Sequence, residues 1–130
     1  MTATEHALEI ARIAARAAVA KKALDPVAFD VSERLAITDI FLIVAATNER
    51  QVGAVVDGIE EALLKAGVKV VRREGDREKR WVLLDFLDAV VHVQHSEERA
   101  LYALERLWKD CPILDLGTLD SEAEPEPAPE

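Results

Sequence analysis

Cysteine is nearly absent from this chain. Cys111 stands alone, so no internal disulfide can form, and one unpaired thiol fits a reducing compartment. No histidine pattern around it supplies an activating base, and beside Trp108 and Pro112 it reads as a small packed residue rather than a nucleophile. Glycine is scarce as well, and no glycine-rich phosphate loop or nucleophile elbow occurs. Long apolar runs are missing: the longest, Ile40–Ala46, falls far short of the roughly 20 residues a membrane-spanning helix needs. Residues 1–7 hold no basic stretch and lead into no long apolar run, so no targeting segment is expected and the expected location is the cytoplasm.

Basic residues are outnumbered, with 16 Lys and Arg against 25 Asp and Glu and a formal net charge of −9. Six of the acids (Asp115, Asp120, Glu122, Glu124, Glu126 and Glu130) lie past residue 112, where no base occurs. Non-specific nucleic-acid binding rests on Lys and Arg neutralising phosphates, so an acidic chain without a basic run is poorly suited to grip RNA directly. It is better suited to meet a basic protein. Half of the 130 residues are apolar, enough for one domain with its own core. A folded domain is expected over residues 1–112, followed by an acidic, disordered tail over 113–130 rich in Pro, Glu and Ala.

Hydrophobic periodicity predicts a helix over residues 4–22, rich in alanine, with a thin apolar stripe and shallow packing. Strands are expected over 27–31 and 39–46, the second so continuously apolar that it suits the middle of a sheet. Asn48 opens the next helix, with Gln51 at capping-box spacing and Gly67 at its end. Val52, Val55, Val56, Ile59 and Leu63 form its apolar face. Three more strands are expected over 68–73, 80–86 and 89–94, the last two joined as a hairpin through Leu87 and Asp88. A final helix, capped by Ser96, would bury Leu101, Leu104 and Trp108 and pair Glu105 with Lys109. The sum is an α/β fold: a five-stranded mixed sheet packed with helices.

The hairpin carries the chemistry of interest. Pairing Phe86 with Ala89 gives one wholly apolar surface: Val82, Leu84, Phe86, Ala89, Val91 and Val93. The other surface holds Trp81, Leu83, Asp85, Val90, His92 and Gln94. Sealed in a core, Asp85 would need a partner; open to water, Trp81, Leu83 and Val90 together would be unusual. An aromatic anchor among polar groups is what protein interfaces use. The alternative is that Trp81 packs beneath the first helix while Asp85 binds a backbone amide.

Catalytic readings are weaker. His92 and His95 point to opposite sides of a strand and would not share a metal. Asp39, Asp85 and Asp88 could gather at strand ends around Mg²⁺, but Asp85 and Asp88 flank a turn and Asp39 suits a turn anchor. No cofactor or metal is therefore expected.

Taken in order, the stretches Lys21-Lys22-Ala23, Ile37-Thr38-Asp39-Ile40-Phe41, Arg50-Gln51-Val52, Glu74-Gly75, Trp81-Val82-Leu83-Leu84-Asp85-Phe86, Val91-His92-Val93 and Arg99-Ala100-Leu101-Tyr102-Ala103-Leu104-Glu105-Arg106-Leu107-Trp108 resemble the ribosomal silencing factor, or Iojap-like, family. Any one motif is weak and the ordered set, over residues 5–112, is specific. The chain departs from the family at Ala45-Ala46-Thr47-Asn48, where a turn with Ser and Gly is common, and at Ile40, where an aromatic is common.

The resemblance implies a translational repressor. Such proteins bind ribosomal protein fourteen on the joining surface of the large subunit, exclude the small subunit when nutrients are scarce, and assist late large-subunit assembly. Free members tend to be homodimers. Their scaffold is similar to that of nucleotidyltransferases, whose Gly-Ser turn and Asp-x-Asp pair are missing here. Carried onto this chain, Trp81 is the expected anchor and Leu83 and Val90 its apolar surround. Asp85, with Glu74 or Asp88, is expected to meet cationic side chains, and His92 and Gln94 to supply polar contacts at the edge. The competing readings are a metal-dependent nucleotidyl-transfer enzyme and a homodimerisation module using the same face.

Overall fold

The computed structural model describes residues 2–75 and 77–119. Two long helices, α1 (Glu5–Ala20) and α2 (Glu49–Lys65), lie on one face of a five-stranded sheet. The strands are β1 (Leu24–Asp30), β2 (Ile40–Ala46), β3 (Arg72–Glu74), β4 (Trp81–Asp85) and β5 (Ala89–His95), ordered β1-β2-β5-β4-β3. Only β2 and β5 run parallel; the other neighbours are antiparallel. Two short helices close the chain, α3 (Ser96–Tyr102) and α4 (Leu104–Leu107). The expected mixed α/β sheet is therefore present.

α1 starts where the Thr4 hydroxyl accepts from the Ala7 amide at 3.0 Å. Its packing is not shallow. Ala7, Ile10, Ala11, Ala14, Ala15 and Ala18 are all buried, because small side chains let the helix axis approach α2 and the sheet closely. Asn48 caps α2 by accepting from the Gln51 amide at 2.8 Å. Gln51 in turn accepts from the Thr47 amide at 2.8 Å and donates to the Lys22 carbonyl at 3.0 Å, tying the end of α1 to the start of α2.

β2 and β5 fill the middle of the sheet, which is why β2 reads as an unbroken apolar run. β1 begins earlier than expected, at Leu24, and includes Pro26. An edge strand tolerates the missing N–H, and the register shifts between Leu24 and Val27 to accommodate it. β3 is shorter than expected. The Val68 amide donates to the Leu63 carbonyl, closing α2, and Val68 and Val70 pack onto the helical core, so only Arg72–Glu74 joins the ladder.

The hairpin has the expected register: Val82 faces Val93, Leu84 faces Val91, and the Phe86 amide donates to the Ala89 carbonyl. All six residues of its apolar surface are buried against the helices. The last helix differs from expectation. His95, not Ser96, caps it, its Nδ1 accepting from the Glu97 amide at 3.1 Å. Ala103 adopts a left-handed conformation (φ 47°) and splits the helix in two. Leu101 is 73% exposed rather than buried, and Glu105 pairs with Arg99 at 2.7 Å.

Residues 113–119, assigned to the tail by composition, belong to the folded body. Ile113 bridges Phe29, the Leu114 amide donates to the Ala28 carbonyl, and Leu116 is buried. Three leucines (Leu114, Leu116 and Leu119) pack on the core and outweigh the local acidity. The acidic stretch from Asp120 onward lies outside the described residues.

Candidate functional site

The sheet face opposite α1 and α2 is covered unevenly. Over β1 and β2 it carries a second small core of Phe29, Val31, Ile43 and Cys111, with Phe41, Leu104 and Trp108 packed against it. Over β4 and β3 the face is more open, with Trp81, Leu83 and Asp85 half-buried and Arg72 and Glu74 exposed. The register sets these side chains in rows: Glu74, Leu83 and His92 in one, Arg72, Asp85 and Val90 in the next.

Trp81 belongs to an aromatic chain that runs Tyr102, Trp81, His92, Phe41, Trp108. Its indole Nε1 donates to His92 Nδ1 at 3.1 Å, and its ring lies 5.0 Å from that of Tyr102, tilted by 45°. His92 meets the edge of Phe41 at 5.1 Å, and Phe41 meets Trp108 at the same separation. Trp81 is thus not beneath α1, and one side of its ring leans on Tyr102. Burial pushes His92 down to about 4, so the ring is neutral near pH 7 and its Nδ1 is free to accept the hydrogen bond from the indole N–H.

The acids divide. Asp85 accepts from the Leu87 amide at 2.8 Å, bracing the hairpin turn where Leu87 takes a positive φ of 73°. The backbone-amide role weighed for it is therefore real, yet its second oxygen remains on the face, 3.9 Å from Arg72. Glu74 meets the same guanidinium at 3.1 Å. Asp88 lies elsewhere, at the hairpin tip, 3.8 Å from His6 of α1. It is part of a different surface from Trp81. His92 and Gln94 are not at an edge either. His92 is 6% exposed and Gln94 fully buried, because β5 is the strand beneath α3 and Phe41.

Asp39 accepts from the Thr4 amide at 3.0 Å and anchors the start of α1. Among the described residues, no group of three His, Cys, Asp or Glu side chains is placed to hold a metal. Arg72, Phe41 and Tyr102 were not singled out as site residues by the sequence argument. Alternation along β2 and β3 is the signal that could have placed Phe41 and Arg72; Tyr102 had none, because its place depends on the break at Ala103.

Residues 4–130 match the family model described as ribosomal silencing factor during starvation. The chain belongs to the ribosomal silencing factor family. It is 42% identical over 107 residues to the ribosomal silencing factor of Bacillus subtilis, covering 82% of this chain and 91% of that one. It is 32% identical over 103 residues to the chloroplastic Iojap protein of Zea mays, covering 78% of this chain and 44% of the relative. Among solved structures, a Chromobacterium violaceum protein superposes with a TM-score of 0.75 at 33% identity, covering 78% of this chain and 84% of that one. A Bacillus halodurans protein does so with 0.73 at 37%, covering 82% and 97%. Membership makes this a regulatory, non-enzymatic protein with a starvation-linked role in silencing ribosomes. No helix among the described residues is long and apolar enough to cross a membrane.

Proposed function

We propose that this silencing factor docks on the large ribosomal subunit through ribosomal protein fourteen and blocks entry of the small subunit by bulk alone. The observation that carries the reading is Trp81: a half-buried indole, fixed at its nitrogen by His92, on the sheet face that the two long helices leave free. A rigid aromatic of this kind loses little freedom on binding and suits the centre of an interface. Leu83 supplies its apolar surround, while Val90, expected beside it, is only 9% exposed because it lies on the central strand β5 and supports the face from within. Asp85 and Glu74 share one guanidinium, Arg72, so the pair keeps a negative surplus toward a basic partner. His92 and Gln94 act from below the surface, and Asp88 stands apart from the contact. The family's starvation-linked role fits a reversible steric plug in the cytoplasm. The same chain would aid late assembly of the large subunit, and the free protein would pair with a second copy.

Co-sedimentation with purified large subunits tests this, comparing wild type with Trp81→Ala. Loss of an interface anchor costs on the order of 2–4 kcal/mol, a weakening of roughly 30- to 1,000-fold. A correctly folded Trp81→Ala that sediments like wild type removes this face from the ribosome contact.

A further inference from the structure

We propose that helix α3 is a displaceable cover, and that docking lifts it so that the side-chain amide of Gln94 meets the main chain of the bound protein. This rests on the docking reading above and adds a moving part to it.

Gln94 is 0% exposed, and neither its amide oxygen nor its amide nitrogen has a hydrogen-bond partner; the same holds for Nε2 of His92. Unpaired buried amides are strongly disfavoured, and a leucine of similar size would suit the closed state better. A side chain that breaks a packing rule in one state points to a second state in which the rule is met. Gln94 lies in register between Ala45 and Trp81, so uncovering it would place an acceptor and two donors beside the aromatic anchor. Those are the groups an extended main chain pairs with.

What lies over β5 there is α3, and it is weakly held. It has seven residues and buries none of them, and helices this short are unstable without packing. Its tethers are mostly polar: besides the Tyr102 ring on Trp81 and the Arg99–Glu105 pair at 2.7 Å, they run through Arg80 and Ser96. Arg80 donates to Glu97 at 2.9 Å and Glu98 at 3.1 Å while also holding Glu49 of α2, and the Ser96 hydroxyl donates to the Ala46 carbonyl at 3.1 Å. Water can replace the more exposed of these contacts, those of Arg80 with Glu97 and Glu49, at low cost. The left-handed Ala103 breaks the helix between α3 and the segment of Leu104 and Trp108, which packs on the second core; the Arg99–Glu105 pair spans that break and parts when the cover opens. The cover can therefore open at Ala103 while the segment after it stays seated. Tyr102, the last residue of α3, would leave the Trp81 ring in the same movement.

Amide hydrogen exchange on the full chain, with and without purified ribosomal protein fourteen, tests this. Binding is expected to slow exchange across residues 81–94 and speed it at least roughly tenfold across residues 96–102, the signature of local opening. Slowed exchange in both segments overturns the cover while leaving the docking reading standing; no binding by wild type overturns both. The same pattern produced by raising the chain's own concentration alone would make the occupant a second copy and overturn the assigned partner. Gln94→Leu is expected to melt at a higher temperature and dock roughly tenfold more weakly, the size of one lost hydrogen bond to a buried amide. Unchanged affinity in that variant overturns the role given to Gln94.

Discussion

The indole nitrogen of Trp81 donates to Nδ1 of His92 across 3.1 Å, so the residue proposed as the docking anchor is oriented by a histidine that must stay neutral. The bond puts the remaining ring proton on Nε2, a buried atom with no hydrogen-bond partner.

That requirement makes stability depend on pH. The folded chain keeps His92 at about 4, whereas an ordinary histidine titrates near 6.5, so between those values the unfolded chain binds a proton that the folded chain refuses. Stability is complete above about 6.5 and falls as pH drops toward 4, by an amount on the order of 2–3 kcal/mol. Asp30 and Glu105 do not blur the upper part of this window. Burial opposes ionisation in both, but hydrogen bonds from Ser32 and Ala3 for the first, and from its own amide and Arg99 for the second, hold them below the ordinary carboxylate range. Their contributions are lost only in more acid solution. Urea unfolding at several values between pH 5 and 7 is expected to show a positive slope in wild type and a nearly flat line in His92→Gln.

Gly75 controls the approach to Trp81. Its φ is +80°, and a Cβ added there would run into the Trp81 carbonyl oxygen, which belongs to a strand and cannot move aside. Gly75→Ala is expected to destabilise the fold by about 2 kcal/mol or more, through both the strained conformation and the displaced strand. It should also weaken docking, since the entry of β4 shifts with the anchor. Thermal melting and co-sedimentation of the one variant measure the two effects.

Ala14 tests why α1 is so rich in alanine. The residue is fully buried in the core beneath the helix layer, with Ala11, Ala15 and Ala18 equally enclosed. Ala14→Leu lowers helix propensity only slightly but adds volume where none is free, and is expected to cost roughly 1–3 kcal/mol. A calorimetric midpoint equal to that of wild type would mean that the helix can move out to accommodate the extra volume.

Local pattern carried much of this fold. The 3.6-residue spacing of Val52, Val55, Val56, Ile59 and Leu63, the Asn48 cap and the two-residue turn at Leu87 and Asp88 are decided within a few residues of one another, and all appear as expected. The same period of two separated the hairpin's buried surface from the surface bearing Trp81. Family membership, too, was legible from short motifs in order.

What failed did so where distant parts compete for the same residues. Valines 68 and 70 have strand propensity, but α2's closing turn and the helical core claim them first. Leu101 has the spacing of a buried residue, but the turn at Ala103 removes the face it would have joined. Leu114 and Leu116 stand in an acidic stretch, yet β1 offers an edge to pair with.

Which residues form helices, strands and the hairpin's two surfaces followed from the sequence, because period and capping act over one or two turns of chain. Whether each side of the sheet is open or covered was settled only in three dimensions. Gln94 is enclosed, Trp81 leans on Tyr102 and Asp88 stands away from both because β5 lies beneath α3 and the hairpin tip reaches α1. No local pattern contains those contacts, since burial depends on what the rest of the chain brings alongside.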